Sequence, residues 1–170
     1  MRMDARKIIY LIGCLLLVSG SLFAALNTEI NLRIWADEDF EIAFEDDHVH
    51  LTLPAPLAGG LPADATANTT YGVYTNSDRY KIVAGMVNFP ADPGIEVKMD
   101  ADAPTGAVSV GVITWTNASV EGGPGEQDCI TGIVPVTETG ISVGFTLHCT
   151  GLPTPRTDET MTVNLRAILE

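Results

Sequence analysis

The run Asp46-Asp47-His48-Val49-His50 places two carboxylates beside two imidazoles. In a strand, alternate side chains share a face, so His48 and His50 point the same way and lie close enough to chelate an ion. Structural and catalytic zinc sites need three or four protein ligands. No further ligand stands at a regular spacing from Asp46, Asp47, His48 and His50, so the competing expectation is a solvated strand face. Asp37-Glu38-Asp39 and Asp100-Ala101-Asp102 offer the oxygen donors that calcium takes. Neither matches the twelve-residue calcium loop. Loosely bound calcium is the one ion the composition invites, and no cofactor is expected.

Other reactive constellations are thin. There is no Gly-x-Ser-x-Gly elbow. His148 precedes Cys149, and neighbouring strand residues face opposite ways, which makes a cysteine–histidine dyad geometrically poor. A pair of carboxylates for glycoside hydrolysis needs no fixed spacing, but only Trp35 and Trp115 are present as sugar platforms. No enzymatic activity is expected.

The elements that would hold these residues begin with an export signal. Arg2, Arg6 and Lys7 precede an apolar run from Ile8 to Val18, and small residues follow at Ser19, Gly20, Ser21, Ala24 and Ala25. These are the three parts of a secretory signal peptide, and cleavage is expected near residue 25. Two alternatives stay open: a membrane anchor, for which the run is short, and lipidation at Cys14 within Leu11-Ile12-Gly13-Cys14. Removal of residues 1–25 leaves six basic and 21 acidic residues, a formal charge of −15. Such a surface repels nucleic acid and anionic lipid. No stable membrane span is expected after cleavage.

Residues 26–170 read as one all-β domain. Apolar residues alternate at Ile30, Leu32 and Ile34, at Val49, Leu51 and Leu53, and at Ile95, Val97 and Met99. The segment 54–70 reads as a loop, 108–116 as one long β-branched strand, and Met161, Val163, Leu165 and Leu169 as one face of a last strand. About eight to ten strands joined by short turns predict an antiparallel two-sheet β-sandwich, immunoglobulin-like or pilin-like, with a single barrel as the alternative. Ile30-Asn31-Leu32-Arg33 is echoed by Val163-Asn164-Leu165-Arg166.

In an exported chain, Cys129 and Cys149 are an even pair for which a disulfide is the default expectation. A turn at Glu138-Thr139 would fold 130–136 back on 141–149 as a hairpin, with a bulge at Gly132 bringing the two cysteines level. A reactive or metal-binding thiol pair is the alternative.

With its signal segment, the stretch Tyr71-Gly72-Val73-Tyr74-Thr75-Asn76 running into 80–87, the late cysteine pair and the closing Thr160-Met161-Thr162-Val163-Asn164-Leu165, the chain resembles the exported spore coat protein U and secreted-pilin group of bacteria. The resemblance implies a structural subunit of a surface coat, fibre or pilus-like assembly. It implies self-association, with a terminal strand donated between subunits. Here that strand would be Leu26 to Trp35, reading into a neighbour through Ile30, Leu32 and Ile34; the competing expectation is that it completes its own sandwich, as most consecutive strands pair within one chain. A secreted module binding carbohydrate, protein or calcium is the competing function. Either places the protein in the periplasm, at the cell surface or outside the cell.

Overall fold

The computed structural model describes residues 27–35, 39–54, 60–78, 80–89, 92, 94–117, 125–152 and 159–170, with Trp35 described through its backbone only. The signal segment, Cys14, Asp37 and Glu38 lie outside the described residues.

The described residues form eleven strands: β1 (Asn27–Trp35), β2 (Phe40–Phe44), β3 (His48–Thr52), β4 (Ala65–Thr75), β5 (Tyr80–Val87), β6 (Ile95–Ala101), β7 (Val108–Ser109), β8 (Ile113–Thr116), β9 (Gln127–Ile133), β10 (Val136–Cys149) and β11 (Glu159–Leu169). They make two sheets, ordered β3-β1-β11-β5-β9-β7 and β2-β4-β10-β6-β8. All paired strands are antiparallel except β1 and β11, which run parallel. Among the described residues no helix is long and apolar enough to cross a membrane.

Alternation explains the core. In β3 the burial pattern makes His48, His50 and Thr52 exposed while Val49 and Leu51 are buried, as one buried face requires. Ile30, Ile82, Met86, Met161 and Val163 of the first sheet share a single apolar cluster with Tyr71, Val97, Phe145 and Leu147 of the second. Phe40 of β2 meets Tyr80 of β5 with ring centroids 5.1 Å apart, an aromatic contact between the sheets. Trp115, weighed above as a sugar platform, is wholly buried, and its indole N–H donates to the Gly125 carbonyl at 2.9 Å.

Four sequence expectations are corrected. First, residues 65–70 belong to strand β4 rather than to a loop. Their alanines and threonines lie opposite bulky residues of β10: Ala65 pairs with Leu147, Ala67 with Phe145 and Thr69 with Val143. Small residues fit there because the partner strand supplies the volume. Second, 108–116 is not one strand. It breaks at Val110-Gly111-Val112, where Gly111 has φ +86°, and continues in the other sheet as β8.

Third, the expected hairpin between 130–136 and 141–149 does not form. Pro135 has no N–H for a ladder, so β9 ends at Ile133 and the chain crosses to the second sheet to begin β10 at Val136. Where the turn at Glu138-Thr139 was expected, the chain runs on as β10 and Gly140 (φ +74°) marks a bulge, with the register against β4 slipping between Glu138 and Ile141. The bulge expected at Gly132 does exist, with φ +64°, but it faces β5. Fourth, Leu169 leaves the apolar face of β11 and is 65% exposed.

Candidate functional site

The structural feature most suggestive of function is the seam around β1. This strand is bonded on both sides, to β3 antiparallel and to β11 parallel. Thr28, Ile30 and Leu32 are buried, and Ile34 packs partly buried against the same core. Of the three residues expected to read into a groove, Ile30 stands across from Met161, Leu32 from Val163 and Ile34 from Leu165. The tetrapeptide echo therefore has a physical basis. Its two copies lie in neighbouring parallel strands, staggered by two residues, with their apolar positions turned to one core.

The acidic histidine strand forms the outer side of this seam. His48 Nδ1 lies 2.8 Å from Glu29 Oε1 on β1, and Asp46 Oδ1 accepts the His48 backbone N–H at 3.0 Å. His48 Nε2 is 3.5 Å from Asp47. The Glu29 hydrogen bond and the charge of Asp47, with lesser contributions from Glu29 and Asp46, raise the His48 pKa above its ordinary value despite a small opposing desolvation. His50 stands across from Glu29. The four candidates Asp46, Asp47, His48 and His50 are thus neighbours, but Asp46 accepts the His48 backbone N–H and Asp47 is a charge partner of its imidazole, whose hydrogen bond goes to Glu29. Among the described residues no group of three His, Cys, Asp or Glu side chains is arranged to hold a metal ion. Sequence reasoning missed Glu29, because nothing local links residues 19 positions apart.

A cleft of about 400 Å³ opens where β1 and β11 begin and β3 ends, lined by Asn27, Thr28, Glu29, His50, Leu51, Thr52, Glu159 and Thr160. Thr52 Oγ1 donates to Asn27 Oδ1 at 2.9 Å across it. A smaller cleft of about 230 Å³ lies on the second sheet around Gly144, between Thr66, Asn68, Lys98, Asp100, Val112 and Thr146. It exists because Gly144 has no side chain. A Cβ there would come within 2.9 Å of Asn68 Oδ1.

The expected disulfide is also corrected. Cys129 and Cys149 are free and buried, one on β9 of the first sheet and the other on β10 of the second. Cys129 lies near enough to Tyr71 and Asp100 to interact with them. Those residues pair with Ile141 and Gly144. Cys149 stands further along β10, opposite Ile95 of β6, and the two thiols are not bonded to each other. Burial, aided by Asp100, pushes the Cys129 thiol up to about 12. Burial also raises Cys149, with the carboxylates of Asp64 and Asp92 adding to it. Neither is a reactive thiolate near neutral pH.

Asp102 of the second calcium candidate is fixed through its backbone. Its N–H donates to Ser142 and its carbonyl accepts the Tyr71 hydroxyl at 2.6 Å. Neither a family model nor a curated protein matches the chain.

Proposed function

We propose that this chain is an exported structural subunit of a bacterial surface coat, fibre or pilus-like assembly, folded as an immunoglobulin- or pilin-like β-sandwich. The observation that carries the reading is the placement of β1. A strand that directly follows the expected signal segment fills a slot between β3 and β11, and its alternate side chains Thr28, Ile30 and Leu32 complete the core. Such a strand fills its own slot or that of a neighbour through the same backbone bonds and the same side-chain pockets. Assembly by exchange then needs no new surface.

Deletion tests it. A chain lacking residues 26–35 is expected to stay folded or partly folded and to bind a synthetic peptide of that sequence. Full-length protein is expected to show ordered assemblies by negative-stain microscopy. A full-length protein that is monomeric at every concentration, with β1 amides protected from hydrogen exchange, would refute strand donation.

A further inference from the structure

The cleft of about 230 Å³ on the outer face of the second sheet has Gly144 as its floor. A glycine inside a strand weakens it, and it occurs there at bulges, at sharp bends, and where a ligand or another backbone comes close. The backbone at Gly144 makes no such demand of its own. The ladder runs unbroken through it, from Ile141 to Leu147 against β4 and from Val143 to Cys149 against β6. Its φ lies outside the left-handed region. What the glycine provides is room. Asn68 takes part of it, since its Oδ1 would lie 2.9 Å from a Cβ at this position. The rest is open cleft.

Strand register sets a grid of polar groups around that floor. Asn68 of β4 and Asp100 of β6 flank Gly144 directly, and Thr66, Thr146 and Lys98 form the next row on the same face. An amide, a carboxylate, two hydroxyls and an ammonium thus surround one patch of bare backbone, with the exposed Val112 beside it. No hydrogen bond to another described residue engages the side chains of Thr66, Asn68, Asp100 or Thr146, so their donors and acceptors are open to a ligand. The charges exclude simple ions. Lys98 Nζ lies 3.8 Å from Glu96 Oε2, and Asp100 is two residues further along the same face. An anion there meets two carboxylates, and a metal ion meets an ammonium. The grid complements a neutral ligand with closely spaced hydroxyls.

From this we infer that the Gly144 cleft is a binding site for a neutral saccharide. The Asp100 carboxylate and the Asn68 carbonyl oxygen accept sugar hydroxyl protons, and the Asn68 amide and Lys98 donate to hydroxyl oxygens. Tyr74 favours a saccharide over other neutral polar ligands. It lies on the same outward row of β4 as Asn68, about 20 Å further along at strand rise, and it is 50% exposed. Trp115, by contrast, is buried and has no face to offer. An exposed tyrosine ring is an apolar platform with a polar tip, which suits the C–H face of a pyranose and the hydroxyls at its edge. A short oligosaccharide laid along β4 places one unit over Gly144 and another on Tyr74. The site is on the opposite sheet from β1 and needs no exchanged strand, so it stands apart from the strand-donation reading.

Saturation-transfer NMR and calorimetric titration of the full-length protein test this, with tetrasaccharides of β-1,4-linked glucose, α-1,4-linked glucose and β-1,4-linked N-acetylglucosamine. At least one is expected to bind weakly, with an affinity that salt leaves unchanged because the ligand carries no charge. Asn68→Ala and Asp100→Asn are each expected to weaken it by about tenfold. Tyr74→Ala is expected to weaken the tetrasaccharide and leave the corresponding monosaccharide unaffected. Arg33→Gln, on the outer face of the first sheet, is expected to change neither. Unchanged circular dichroism in all four variants excludes a folding defect. Failure of all three tetrasaccharides to bind overturns the inference, as does binding indifferent to both Asn68→Ala and Asp100→Asn. Calcium or inorganic phosphate displacing the saccharide also overturns it, because the cleft is then an ion site. Saccharide binding by a protein that never assembles leaves this site standing and removes only strand donation.

Discussion

Ile30 of β1 lies directly across the parallel ladder from Met161 of β11, and neither side chain has any exposure. The first and last described strands are therefore held to each other through the centre of the core. Truncating Ile30 there leaves a cavity lined by residues that cannot close over it. Ile30→Ala is expected to cost about 2–5 kcal/mol, read as a lower urea midpoint. Arg33→Ala, on the exposed face of the same strand, is expected to change stability by less than about 0.5 kcal/mol. Equal effects of the two substitutions would contradict the burial pattern.

The two glycines of β10 fail for different reasons when filled. Gly140 stands at the bulge with φ +74° and open space where a Cβ would be, so Gly140→Ala is expected to cost about 1–2 kcal/mol through backbone strain alone. No neighbouring substitution relieves it. Gly144 has no such φ, and its new Cβ would meet Asn68 Oδ1. Loss at Gly144→Ala is therefore expected to shrink when combined with Asn68→Ala. Thermal melts of the four variants and the double-mutant cycle separate the cases.

These glycines also mark where the sequence is legible and where it is not. Alternation located most strands, because one buried face forces a period of two. Val49 and Leu51 on β3, and Ile95, Val97 and Met99 on β6, are buried as their spacing predicts. Positive-φ glycines were equally visible, but a glycine serves a turn and a bulge alike, and only the partner strand distinguishes them. Gly140 reads as a turn when β9 is taken as the neighbour and as a bulge when β4 is. The better local signal was Pro135, which ends β9 and sends β10 to the other sheet. The strand at 65–70 was hidden for a different reason. Its alanines and threonines look like loop composition until Leu147, Phe145 and Val143 are set opposite them. Of the candidate site, the strand holding His48 and His50 was legible, while the carboxylate that binds His48 comes from another strand.

The thiols give a redox prediction. Cys129 and Cys149 are buried free thiols, not bonded to each other, so non-reducing peptide mapping is expected to recover no linked pair. Both are expected to alkylate slowly in native buffer and rapidly in denaturant, with Cys129 the slower because burial pushes its thiol up to about 12. A recovered link between Cys129 and Cys149 would overturn the free-thiol arrangement.

Among the described residues, His48 and Glu138 are surface groups whose shifts give opposite pH signatures. His48 is raised chiefly by its hydrogen bond to Glu29. A folded-state value above the unfolded one means that protonated His48 stabilises the fold. That contribution is complete below the ordinary value of 6.5 and fades as pH rises through the raised folded value. Glu138 is lowered because its carboxylate accepts the Thr105 backbone N–H at 2.7 Å, with a further hydrogen bond from the Thr105 side chain. Its contribution is present above the ordinary value of 4.5 and is lost as pH falls through the lowered one. Both groups are solvent-facing, so the effects are small and shrink with salt. Melting temperatures measured across pH at low salt are expected to show that His48→Gln removes a decline on the neutral side, while Glu138→Gln removes one on the acid side. At pH well above the raised His48 value, wild type and His48→Gln are expected to converge. A His48→Gln deficit that stays constant from acid to alkaline pH would mean that the imidazole holds β3 to β1 by shape alone and that its charge has no part in the seam.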